Sequence, residues 1–390
     1  GAGANGRTLM LATPAIYGGG TDSDVATLLT DTLIWNGSLA ANGVLASPYG
    51  ALTPPAQRPG SGTGTLRIDA REIVFGYGPS DQYQNETALD RLALGFSTVD
   101  LVASERITAN NRGTLSVYRS YDLGTKRYAD GNLNLRTPFI TAQGGAYMAY
   151  TAGGAVAASA PQAGPAATAD IRELGGELRS NGGAVSIDTA IALPSGRLAL
   201  KADGDITLAD RARIDLSGRS IAFFDVTKHS WGGDVDLRSA DGRIMQAAGS
   251  VIDVSAGHNE AGSITVEAVG ANGSVAFNGT LRGDGADGYD DGSFDVRAKT
   301  LADFAGLNRL LNAGAFFQSR SIAVKTGDLV VGDEVRAHYV SLSADGGSLA
   351  VNGKIDASGA ASGTIRLSAR NNLTLTSTSV LDTHGTALQV

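Results

Sequence analysis

The chain of 390 residues contains no cysteine. That excludes disulfides, thiolate metal ligands and cysteine nucleophiles together. A secreted chain that must cross membranes unfolded gains from the absence, because no disulfide can lock it early. Proline is scarce at 10 residues and histidine scarcer at 4. Charged residues make up 18%, below the typical quarter, so Ser, Thr, Asn and Gln share the surface with ions. No run approaches the ~20 apolar residues of a membrane helix, and no membrane insertion is expected. The net charge is −8 and the 31 Lys and Arg form no basic run, which argues against a nucleic-acid partner. The opening Gly1-Ala2-Gly3-Ala4-Asn5-Gly6 has neither the charged nor the apolar region of a secretory leader and no initiating Met, so the chain is expected to be a piece of a larger precursor.

Catalytic signatures are equally sparse. There is no Gly-x-Ser-x-Gly elbow, no His-Glu-x-x-His and no Walker loop. His229, His258, His338 and His384 stand far apart with no shared spacing, so each is expected at a surface or turn rather than as a ligand or base. Two Gly-x-Gly-x-x-Gly matches occur, at Gly1-Gly3-Gly6 and Gly283-Gly285-Gly288. A dinucleotide site needs a strand before the glycines and a helix after them. The first match has no preceding strand, and the second runs into the strand-like Ser293-Phe294-Asp295-Val296. No catalytic residue, cofactor or metal is assigned on this basis.

Glycine is abundant, 53 of 390 residues, about twice ordinary usage. With so little proline this signals many tight turns rather than a disordered linker. Between the turns run short stretches of period-2 alternation: Leu66-Arg67-Ile68-Asp69-Ala70, Val99-Asp100-Leu101-Val102, Leu115-Ser116-Val117-Tyr118, Leu133-Asn134-Leu135-Arg136, Val185-Ser186-Ile187-Asp188 and Leu373-Thr374-Leu375. Each predicts a strand with one buried face. A phrase also recurs, an apolar residue, Asp, small residues and Gly, at Ile214-Asp215-Leu216-Ser217-Gly218, Ile252-Asp253-Val254-Ser255-Ala256-Gly257 and Ile355-Asp356-Ala357-Ser358-Gly359, with a looser copy at Leu381-Asp382-Thr383-His384-Gly385. Recurrence inside strand-like sequence marks a repeat architecture. Asp and Ser at such a bend can bond their own turn backbone, and Gly is expected to supply a positive φ.

The fold class expected is all-β, a solenoid of parallel strands with rungs of ~20 residues. Asn-Gly hairpin turns at Asn42-Gly43, Asn181-Gly182 and Asn272-Gly273 are too few to pair most strands antiparallel. Residues 1–63 form a loop-rich, partly β start, with Thr53-Pro54-Pro55 and Arg58-Pro59-Gly60. Residues 64–150 form one coil segment, and 151–169, nearly all Ala, Gly, Pro, Ser and Thr, a linker or loop. Residues 170–390 form a second segment with a helical insertion at 300–313. There Leu301, Phe304, Leu307, Leu310 and Leu311 share a face, Thr300 and Asp303 resemble a capping box, and Gly314 is the stop. The helix is a lid on the coil or a docking element.

Several surface features invite chemistry. The acidic stretch Asp284-Gly285-Ala286-Asp287-Gly288-Tyr289-Asp290-Asp291 is a solvated turn or a calcium loop, though its spacing fits neither an EF-hand nor a nonapeptide repeat. Arg282-Gly283-Asp284 spells an integrin-type tripeptide, easily made by chance in this composition. Tyr77, Tyr83, Tyr118, Tyr121, Tyr128, Tyr147 and Tyr150 crowd one region, either as amphipathic packing or as platforms for sugar rings. Asp100, Glu105, Asp234, Asp236 and Asp295 alternate outward in strands, where neighbouring rungs could assemble the acid pair of a polysaccharide-cleaving enzyme.

Leu94-Gly95-Phe96-Ser97, Asp100-Leu101-Val102-Ala103-Ser104-Glu105-Arg106-Ile107 and Gly113-Thr114-Leu115-Ser116-Val117 resemble the filamentous haemagglutinin family of exported Gram-negative adhesins. The stretch from Leu307 to Gly314, with Thr326-Gly327-Asp328-Leu329-Val330 and Gly346-Gly347-Ser348-Leu349, is similar to the same group. The resemblance covers roughly residues 64–390 apart from 151–169. It implies a right-handed parallel β-helix, export by two-partner secretion through an outer-membrane transporter, and display at the cell surface without enzyme activity. No match to the family's secretion domain is present, so the segment corresponds to shaft. The function expected is a non-catalytic structural and adhesive segment, a rigid rod presenting a binding or effector region, with a surface glycan or host receptor as possible partner. The alternatives are a polysaccharide-cleaving β-helix enzyme and the stalk of a contact-dependent toxin.

Overall fold

Parallel pairing in register organises nearly every strand of the computed structural model, which describes residues 6–37, 60–78, 88–161 and 171–386. The chain divides into two compact units, Gly1–Leu193 and Pro194–Val390.

The second unit shows the pattern most clearly. Seven strands of six residues, Arg197–Ala202, Asp234–Ser239, Ser263–Ala268, Ser293–Ala298, Ser319–Val324, Tyr339–Ala344 and Thr364–Ala369, lie side by side, each parallel to the next. Two shorter strands follow most of them, such as Arg243–Gln246 with Val251–Asp253 and Ser274–Phe277 with Thr280–Arg282, and these also pair parallel from one triplet to the next. Because the side-chain period is two, register carries each apolar position onto its equivalent. One buried column runs Leu200, Leu237, Val266, Val296, Ile322, Leu342. Each such side chain contributes about 1.5–3 kcal/mol by leaving water.

The repeat is looser than ~20 residues. Register partners lie 20 positions apart at Ser319 and Tyr339, 29 at Asp234 and Ser263, and 37 at Arg197 and Asp234. The long interval accommodates an antiparallel hairpin, Ser220–Phe223 with Val226–His229.

The expected helix forms over Phe304–Ala313. It starts later than the apolar pattern suggests, because Thr300 and Leu301 pair with Ser274 and Val275 as a strand. Asp303 is the N-cap, accepting a hydrogen bond from the Gly306 N–H at 2.8 Å, and Gly314 closes the C-terminus. The helix packs between the short strands Ser274–Phe277 and Thr280–Arg282 on one side and Leu329–Val331 and Val335–Arg336 on the other. The two short-strand ladders break there and restart as separate sheets, while the six-residue ladder runs through. Arg320 occupies the inward position beside Phe294 and Val340 in that unbroken ladder and is fully buried. Its guanidinium donates to the Phe316 carbonyl at 2.9 Å and to Asn308 Oδ1 at 2.8 Å, and Nη2 has no hydrogen-bond partner among the described residues. Burial pushes its pKa down to about 9.

The first unit uses the same rules. Leu89–Leu94, Arg112–Tyr118, Tyr147–Ala152 and Glu177–Gly182 form one parallel ladder. Thr65–Phe75 and Thr98–Ala109 pair along their length with a register shift between Ala70 and Glu72. The start of the chain supplies Thr8–Leu11, Ala15–Tyr17, Val25–Leu29 and Thr32–Trp35, all paired parallel. The stretch read as a linker begins with strand residues, since Ala155–Ser159 pairs with Asn132–Arg136 and Ala184–Asp188. Its remainder at 162–169, with Asn42-Gly43, Thr53-Pro54-Pro55 and Arg58-Pro59, lies outside the described residues. Asn181-Gly182 ends a strand and Asn272-Gly273 forms a turn, so neither makes a hairpin.

Candidate binding surfaces

Antiparallel pairing occurs at two places among the described residues, and both are excursions from parallel ladders. In the first unit the excursion is Ser120–Asp122 with Arg127–Ala129. Asp122 closes its turn, accepting from the Thr125 N–H at 2.6 Å and hydroxyl at 2.9 Å, and those bonds hold its carboxyl below the usual range. Gly131, at φ 91°, lets the chain return, because a Cβ there would meet the Arg119 nitrogen at 2.7 Å. The result is a stack of half-buried rings. Tyr118 lies on Tyr128 at 4.6 Å and 24°, and Tyr121 reaches Tyr128 at 4.6 Å and 46°. Burial raises the Tyr118 pKa.

The other tyrosines separate from this stack. Tyr150 is buried, edge-on to Phe75 at 5.7 Å, and its pKa rises with desolvation. Buried Arg91 faces the same ring at 5.3 Å and donates to the carbonyls of Trp35, Leu89 and Asn36, its pKa pushed down to about 10 by burial. Tyr147 meets the Arg179 guanidinium at 5.2 Å. Tyr77 lines a cleft of about 730 Å³ with Thr32, Thr108, Asn110, Thr141 and Gln143, beside the Glu72–Arg106 ion pair at 2.6 Å. Asn110 fixes the Tyr77 backbone, accepting from its N–H at 2.9 Å and donating to its carbonyl at 2.8 Å. Tyr83 lies outside the described residues. The crowd of tyrosines thus divides into core, cleft and an accessible stack.

In the second unit the excursion carries apolar side chains into solvent. Phe223 is 61% and Phe224 103% exposed at the hairpin turn, and Trp231 just beyond its base is 55% exposed. Phe224 sits at φ 53°, a conformation that costs an L-residue about 1–2 kcal/mol and that the tight turn imposes. Two histidines the sequence separates meet here. His229 and His258 have ring centroids 4.4 Å apart at 43°. The remaining two stay apart: His384 bonds Asp382 at 2.6 Å, and His338 lines a second cleft of about 380 Å³ with Phe317, Arg336 and Asp290. In that cleft the Arg336 guanidinium lies 4.7 Å from the Phe317 ring centre.

The acidic stretch folds as a turn, with Asp291 accepting from the Gly285 N–H at 3.0 Å and raised in pKa by burial and by Asp284 and Asp290. Among the described residues no three His, Cys, Asp or Glu side chains gather as a metal ligand set. Arg282 ends a strand and pairs with Asp253 at 3.4 Å, and Gly283 packs against the Phe316 ring, so the tripeptide lies against the ladder and not at a loop apex. Gly283-Gly285-Gly288 leads into the strand Ser293–Ala298 with no helix opening from it; Gly1 and Gly3 lie outside the described residues.

The outward carboxylates have neighbours of their own. Asp100 accepts from Asn134 at 2.6 Å, Glu105 pairs with Arg71, Asp234 accepts from the Ser263 hydroxyl at 2.5 Å, and Asp236 pairs with Arg238 at 2.8 Å. Asp236 and Asp295 share a column with Thr265 between them, two strand spacings or about 10 Å apart. That is at or beyond the separation of an inverting acid pair.

No family model, curated protein or solved structure matches this chain.

Proposed function

We propose that this chain is a non-catalytic structural and adhesive segment of a large secreted bacterial surface protein, wound as a right-handed parallel β-helix. The observation that carries the reading is the division of labour in each unit. Apolar columns in register fill the interior, as in Leu237, Val266 and Val296, and ring-bearing excursions leave the ladder sideways, as in Tyr118, Tyr121 and Tyr128. A stack in which each triplet leans on its neighbours is a rigid spacer. Flat aromatic faces with polar tips suit the ring face of a surface glycan. The resemblance to the filamentous haemagglutinin family adds export through an outer-membrane two-partner-secretion transporter and display at the cell surface.

Beads coated with the chain and presented to a panel of surface polysaccharides test this. Adhesion without turnover is expected, weakened about two- to tenfold by Tyr121→Ala or Tyr128→Ala, the scale of one aromatic contact. Turnover abolished by Asp236→Asn or Asp295→Asn contradicts the reading and makes the segment an enzyme.

A further inference from the structure

We propose that His229 and His258 form a surface site for a divalent transition metal, which clamps the Phe223–Phe224 hairpin to the neighbouring loop. His229 ends the returning strand of the hairpin, and His258 lies in the loop after the next triplet's strand Val251–Asp253. Both are exposed, so an ion can reach them from solvent. Their ring centroids are 4.4 Å apart. With metal–nitrogen bonds of about 2.0–2.1 Å, two imidazoles bound cis at 90° place their centroids about 4.5 Å apart, and about 5 Å at a tetrahedral angle. The observed separation is close to that of two imidazoles bound cis to one ion.

Two further contacts prepare the site. The His229 Nδ1 lies 2.8 Å from the Ser220 hydroxyl, its register partner across the hairpin. With Nδ1–H donating to that hydroxyl, Nε2 keeps its lone pair for an ion, and a hydrogen bond on the far ring nitrogen is what orients metal-bound histidines. Asn259, next to His258, donates to the His229 carbonyl at 3.2 Å, holding loop and hairpin together. With two imidazoles and no third His, Cys, Asp or Glu ligand among the described residues, the site binds Cu²⁺ more tightly than Ni²⁺ or Zn²⁺. A bound ion fixes the base of a hairpin whose tip carries Phe223 and Phe224, the most solvent-exposed aromatics of this unit.

Calorimetric titration of the full chain, free of any histidine tag, with CuCl₂ and with ZnCl₂ tests the proposal. The expected result is one equivalent bound, copper tighter than zinc, with affinity falling at least about tenfold in His229→Asn and in His258→Asn and unchanged in His338→Asn. Ser220→Ala should weaken binding by a smaller factor. Should either histidine variant fail to fold, Cu²⁺ broadening of histidine ring signals in the unaltered chain decides: His229 and His258 should broaden before His338 and His384. No saturable binding, or binding that survives both histidine variants, overturns the site.

Discussion

At Asp215, Asp253 and Asp356 one small device recurs. A single carboxylate oxygen accepts both the N–H and the hydroxyl of the serine two residues on, at 3.0 and 2.6 Å, 3.0 and 2.6 Å, and 2.9 and 2.5 Å respectively. His384 takes the serine's place beside Asp382. This much was legible from the repeated phrase, because Asp and Ser side chains bond locally. The role of the glycine was not. Gly218, Gly257 and Gly359 do not adopt positive φ. At Gly218 the requirement is a close approach, since a Cβ would stand 2.3 Å from the Ser230 carbonyl oxygen, whereas at Gly257 nothing lies within 4 Å. Nothing in the structure explains Gly257. The Asp356 corner has a consequence for acid stability. Burial pushes its carboxyl up, but the Lys354 ammonium and the Ser358 hydroxyl and N–H outweigh that and carry it from 3.8 to about 2. A carboxyl lower in the folded than in the unfolded chain stabilises above the unfolded value and loses that stabilisation as pH falls toward the folded one. Asp356→Asn keeps the local acceptor and removes the charge. Its melting temperature should lie below that of the parent at neutral pH, and the gap should close between about pH 4 and pH 2. A gap that persists at pH 2 would exclude the charge as its source.

Among elements, the helix Phe304–Ala313 is the most informative, because it interrupts two ladders and leaves the third intact. Its existence and its Gly314 stop follow from the apolar spacing. Its start does not, since Thr300 and Leu301 satisfy their backbone groups in a ladder that the sequence cannot reveal. Arg320 holds the helix from inside. It has the parity of Ile322 and Val324 in the alternation Ser-Arg-Ser-Ile-Ala-Val, so the sequence does mark it as inward, against the usual expectation for a charge. Asn308 and Asn312 both donate to the Glu334 carbonyl, at 2.8 and 2.7 Å, tying the helix to the restarting strands. Asn308→Ala removes one of the two acceptors of a buried guanidinium and should cost about 1–3 kcal/mol. Adding Arg320→Met should recover much of that loss, because an apolar side chain needs no acceptor. Denaturant unfolding of the two single variants and the double variant measures the coupling, and strictly additive losses would show that Arg320 does not depend on Asn308. The histidine pair was hidden for a related reason. His229 and His258 are 29 residues apart, the same offset as Asp234 and Ser263, and an interval becomes a contact only when the local repeat length is known.

For the molecule as a whole, each unit is governed by stacking in register. Alternating strands were legible because one buried face imposes a period of two. Their parallel pairing was legible in part, from the shortage of hairpin turns. The length of each triplet was not, because offsets of 20 to 37 residues depend on how much chain leaves the ladder at each corner. The absence of native cysteine allows that register to be read chemically. Glu267 and Arg297 are partners on the outward face of adjacent strands, about 4.8 Å apart and within disulfide reach, whereas Ser343 on the strand Tyr339–Ala344 lies three strands from Glu267. The most direct measurement is mild oxidation of the double variants Glu267→Cys/Arg297→Cys and Glu267→Cys/Ser343→Cys, scored by mass spectrometry. Parallel stacking predicts a near-complete intramolecular disulfide in the first and none in the second; the reverse pattern, or no bridge in the first, would contradict it.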